Sequence, residues 1–213
     1  MRDLIRNLLN EIKFSQEKAD ELKNKFGWRY VQTNKPRYDA KYKNVRVYTF
    51  HTPKKYKETA GFKYIVNIEE YDYDYFIISF HPKLNKDFYV KQARLANANQ
   101  KYLDHYSFLT RENIPLQILS LMISEMKNII KEKPFASFGY FGAADVKTGD
   151  PNEDMFNTRR VRVYNQLISD EFKETHKVIS DPTFSGSVIL NREVMSEFPD
   201  FEKYCLDVLE THL

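Results

Sequence analysis

Residues 134–172, PFASFGYFGAADVKTGDPNEDMFNTRRVRVYNQLISDEF, constrain the fold more than any other stretch of the chain. The apolar and aromatic run over 135–142 predicts a buried strand. A polar loop follows, and a helix opens near Asn157. Its first turns gather Arg159, Arg160 and Arg162 beside Tyr164. A strand that gives way to a charged amphipathic helix is a building unit of α/β proteins with a mixed sheet.

The rest of the chain supports that class. Residues 2–26 carry apolar side chains at helical spacing, among them Leu4, Leu8, Ile12, Ala19, Leu22 and Phe26. Ser15 is placed to cap a helix there and Gly27 to close it, which predicts two short helices or one kinked one. From Trp28 the period changes to two, through Val45, Val47 and Thr49 and into a hairpin of 64–69 with 75–80 around the turn EEYDYD. Residues 106–110 read as another strand, and Pro115 opens the strongest helix, with Leu119, Met122, Ile123, Met126 and Ile130 as its buried stripe. An extended segment within 177–190 and a last helix over about 199–212 complete the order. One domain over 1–213 is expected, with a helical segment at 1–27, mainly antiparallel strands over 28–110 and strand–helix alternation over 111–213.

Several functions are disfavoured by composition. Lys and Arg number 33 against 30 Asp and Glu, and the two signs are intermixed, so nucleic-acid binding does not follow without a patch. The single Cys205 forms no intramolecular disulfide and sits in the helical pattern YCLDVL, which reads as packing rather than nucleophilic chemistry. His81 and His105 have no ligand-like spacing around them, so no metal is expected. The opening MRDLIRNLLNEIK is too broken by charge for a signal peptide, and no apolar run approaches membrane-spanning length. A cytoplasmic location and no membrane partner are the expectation.

The order strand, long helix, strand, loop, helix, strand, helix, preceded by an antiparallel hairpin region, resembles the superfold of the GNAT N-acetyltransferases. Within NTRRVRVY, Asn157 and Tyr164 stand seven apart, as do an Asn and a Tyr in the helix after that family's splayed central strand. The resemblance implies Asn157 near the pantetheine arm of coenzyme A and Tyr164 as the acid that protonates the departing thiolate. The same helix is similar to a TKRFRIY-like helix of a group of bacterial proteins that carries no function over. The family's glycine-rich pyrophosphate loop maps onto 111–116, Arg-Glu-Asn-Ile-Pro-Leu. Arg111 fits and Asn113 lies within the loop, but Ile114 and Leu116 replace the small residues, Pro115 lacks an N–H and Glu112 adds negative charge. The chain also opens on helices where the family opens on a strand.

Two readings follow from the resemblance. In the first the chain is a divergent GNAT-like binding module for a protein or nucleic-acid partner, without efficient acetyl-CoA chemistry and with no required cofactor. In the second it is an acyl-CoA-dependent N-acyltransferase with Tyr164 as general acid, Glu69 or Glu70 as base at a strand end, and acetyl-CoA held by Arg111, Asn113 and Asn157. Arg159 and Arg162 share a helix face and are the candidate anion or partner clamp, unless they only neutralise Asp145, Asp150, Glu153 and Asp154 upstream.

Overall fold

The computed structural model describes residues 14–35, 41–52, 63–83, 115–141, 159–181 and 186–212. Helix α1 (Gln16–Phe26) starts where the Ser15 hydroxyl accepts from the Lys18 amide and stops at Gly27, whose φ of 62° is left-handed. Strands β1 (Arg29–Asn34), β2 (Asn44–His51), β3 (Lys63–Glu70) and β4 (Tyr75–Pro82) follow. Helix α2 (Pro115–Glu132) leads to β5 (Ser137–Phe141), and α3 (Arg159–Phe172) to β6 (His176–Asp181) and β7 (Gly186–Asn191). Two helices, α4 (Arg192–Glu197) and α5 (Phe201–Glu210), finish the described chain.

The strands form one seven-stranded mixed sheet in the order β1-β2-β3-β4-β5-β7-β6. Every neighbouring pair is antiparallel except β4 and β5, which run parallel with Tyr75 opposite Ser137 and Ile78 opposite Tyr140. A parallel pair needs a long crossover, and α2 lies within it. The β3–β4 hairpin closes through Tyr73 and Asp74, both at positive φ, 58° and 52°.

Alternation assigns each strand residue to one of two layers. On the first face Phe50, Val66, Ile68, Phe76, Ile78 and Phe138 pack against α1, α2 and α3. There Leu119, Met122, Ile123 and Met126 form the buried stripe the spacing predicts, widened by Ile118, Leu121 and Ile129, with Ile130 half-buried. On the second face Tyr75, Ile77, Val188 and Leu190 meet Val194 of α4 and Phe201, Cys205 and Leu209 of α5. No described helix is long and apolar enough to cross a membrane.

Three expectations need correction. The strand expected over 135–142 begins at Ser137; Phe135 stays half exposed, because the chain is still turning after α2. The segment expected within 177–190 is a hairpin of two strands, with β7 inserted between β5 and β6. The long helix between them leads one to expect residues 106–110 as the parallel neighbour of the 135–142 strand; they lie outside the described residues, and the parallel neighbour of β5 is β4. Both edges of β5 are already taken, by β4 and by β7.

Candidate functional site

Glu69 and Glu70 are neighbours on β3, so their side chains leave the sheet on opposite faces. Glu70 accepts from Lys133 Nζ at 2.7 Å and Asn44 Nδ2 at 3.2 Å, and Lys133 also reaches Asp74 at 2.7 Å. Burial alone would raise the Glu70 carboxyl, but the Lys133 and Asn44 hydrogen bonds hold it below its ordinary range. Burial likewise opposes the Lys133 charge, and its bonds to Asp74 and Glu70 win, raising it. Glu70 is a structural anion, pinning the end of α2 to the hairpin turn.

On the other face, Glu69 Oε2 lies 2.9 Å from the Tyr71 hydroxyl and 2.7 Å from His212 Nε2. His212 Nδ1 is 3.2 Å from the Val208 carbonyl, so its two ring nitrogens lie against a backbone carbonyl and the Glu69 carboxylate. The Tyr71 hydroxyl is also 3.0 Å from Nε2. Burial first, and the charge of Glu69 second, push the Tyr71 phenol up, which keeps it a donor. Tyr71 and His212 were not singled out by sequence, since their meeting spans 141 positions.

Tyr164 points the other way. It is 8% exposed and belongs to the core of the first face, with Phe138, Tyr140 and Ile168. The Tyr140 phenol is pushed up chiefly by burial, with the nearby Tyr164 contributing. Tyr140 donates to Asn165 Oδ1, Asn165 Nδ2 donates to Ser180 Oγ at 2.6 Å, and Ser180 Oγ lies 3.2 Å from Ser187 Oγ. A polar chain thus runs beside Tyr164 from β5 through α3 to the β6–β7 hairpin. Tyr164 and Glu69 stand on opposite faces of the sheet and do not converge. Arg159 and Arg162 occupy the first turn of α3, with side chains outside the described set. Arg111, Asn113, Asn157 and the acids at 145, 150, 153 and 154 lie outside the described residues.

The second face contributes something that neither motif nor spacing signals. Helices α4 and α5 cover it over β4, β5 and β7, while β1, β2 and β3 carry no described helix there. A groove of about 440 Å³ crosses this half. Half-exposed Val31, half-buried Val47 and Ile65 form its floor, and Arg29, Lys63 and Lys83 its rim. Arg29 Nε lies 3.4 Å from Thr49 Oγ1. No described carboxylate lines the groove, and among the described residues none of its three cations pairs with one. The available signal was the second register of β2 and β3, whose alternate residues face away from the core.

Cys205 is fully buried and burial pushes its thiol up, which makes it a packing residue. Among the described residues no three His, Cys, Asp or Glu side chains are grouped to hold a metal ion. No family model matches this chain, and neither does any curated protein or solved structure.

Proposed function

We propose that this chain is a divergent protein of the GNAT acyltransferase superfold that works as a binding module, without efficient acetyl-CoA chemistry. The parallel β4–β5 pair with α2 in its crossover, followed by α3 and an antiparallel hairpin, supports the fold assignment. One observation carries the functional reading. The candidate acid Tyr164 and the candidate base Glu69 are separated by the sheet, while Glu70, on the acid's face, is held by Lys133. An acid and a base that act on one substrate must reach it from one cavity. Calorimetric titration of the purified chain with acetyl-CoA and with free coenzyme A tests this: no saturable heat is expected. Binding of either, together with acyl transfer to an amine, overturns it.

The acyltransferase reading keeps one favourable observation, the polar chain Tyr140–Asn165–Ser180 beside Tyr164. On that reading Arg111, Asn113 and Asn157 hold acetyl-CoA, and Tyr164 donates its proton to the leaving thiolate. Tyr164→Phe then abolishes turnover while coenzyme A still binds, because only the proton donor is removed.

A further inference from the structure

A near balance of 33 basic and 30 acidic side chains gives no reason to expect a polyanionic partner. The fold changes that by sorting the charges. Arg29 opens β1, Lys63 opens β3 and Lys83 follows β4, and the sheet ladder brings these three ends together. Thr49 faces Arg29 across β1 and β2, His51 faces Lys63 across β2 and β3, and the Lys83 amide donates to the Lys63 carbonyl at 2.6 Å. Strands lie about 4.8 Å apart, so cations spread from β1 to the end of β4 form a rail of roughly 14 Å. Beside the rail, one step further along the strands, lies the apolar floor of Val31, Val47 and Ile65.

We infer that this groove binds single-stranded nucleic acid, with phosphates along Arg29, Lys63 and Lys83 and bases on the Val31–Val47–Ile65 floor. The inference rests on the binding-module reading above and names its partner. A single strand carries all its charge along one edge and flat apolar faces along the other, the same division that the groove makes. An extended acidic peptide alternates its side chains and presents carboxylates on both sides, which would set half of them on the floor. Duplex is disfavoured because its bases are stacked inward and cannot lie on a sheet face.

The test is fluorescence anisotropy of labelled oligo-dT and oligo-U with the whole chain over a salt series. Three phosphate contacts on a single strand give a slope of log K against log salt of about −2. Lys63→Gln and Lys83→Gln should each flatten the slope by about 0.7. The triple variant with Arg29→Gln should lose at least about tenfold in affinity at low salt. Val47→Glu should weaken binding with the thermal transition retained. No oligonucleotide binding at low salt, binding indifferent to the triple variant, or equal displacement by polyglutamate would each overturn the inference, the last in favour of an acidic protein. Acetyl-CoA is titrated into the same preparation. Acyl transfer alongside unaltered oligonucleotide binding would defeat the binding-module reading and still support the groove.

Discussion

Gly139 of β5 leaves open the volume that the Tyr75 ring of β4 fills. A Cβ at Gly139 would collide with the Tyr75 hydroxyl and come within 3.0 Å of Leu209 Cδ1 and 3.1 Å of Tyr75 Cζ. Glycine inside a strand weakens it, and here a close side-chain approach accounts for it. Tyr75 is fully buried and its hydroxyl has no hydrogen-bond partner among the described residues. Gly139→Ala should therefore cost about 1–3 kcal/mol by overpacking. Tyr75→Phe should be neutral or stabilise by about 1 kcal/mol, because an unpaired buried hydroxyl is removed. In the double variant the two effects should fail to add by more than about 0.5 kcal/mol, because Tyr75→Phe removes the hydroxyl that the new methyl meets, read from denaturant midpoints. Strict additivity would mean that the two side chains do not share that space.

Ile123 sits in the middle of α2 at 2% exposure, against the first face of the sheet. Ile123→Ala should cost about 2–5 kcal/mol, the range for a buried large-to-small change. A denaturant melt shifted by less than a fifth of that would place the helix stripe on the wrong side.

His176 is buried at 2% exposure, with Nε2 donating to the Ala136 carbonyl at 2.9 Å and Nδ1 accepting from the Thr175 hydroxyl at 2.7 Å. Burial is the main cause of its lowered pKa; the Ala136 bond opposes this and Arg192 adds to it. The unfolded chain therefore binds the proton more readily than the folded one. The stability this group contributes is present above its ordinary value of 6.5 and is lost as pH falls below that, toward the folded value. The urea midpoint should drop between pH 7.5 and 5, and His176→Gln should reduce that drop. Glu70, depressed from 4.5, adds a second loss only at lower pH.

Lys133 ties Glu70 and Asp74 together, and Asp74 is held at positive φ. Lys133→Met should cost about 1 kcal/mol, since the pairs are partly exposed but act as a small network. Replacing Asp74 with Gly as well should restore part of the loss by relieving the left-handed strain. Equal stability of Lys133→Met and the parent would show that the turn holds without the lysine.

The alternation of β2, β3 and β4, the capped ends of α1 and the apolar stripe of α2 are all legible from residue spacing. The reason is physical: each depends on residues within one or two turns or pleats of one another. Ser15 and Gly27 bound their helix from either end, and Met122 and Ile123 lie where the helical period puts them. Spacing also marks Glu69 and Glu70 as carboxylates at a strand end. It does not say that the first meets His212 and the second Lys133, because those partners arrive from 143 and 63 positions away. That β4 is the parallel neighbour of β5 is hidden from local spacing for the same reason. Periodicity tells which side chains share a face of one element, and is silent on which elements become neighbours. The groove is the plainest case: Arg29, Lys63 and Lys83 are unremarkable cations in a nearly neutral sequence, and only the antiparallel order of β1 to β4 makes them one rail. Local spacing marks the caps of α1, the stripe of α2 and the faces of β2 to β4; the pairing of strands sets which charges stand together, because it joins residues that local spacing cannot relate.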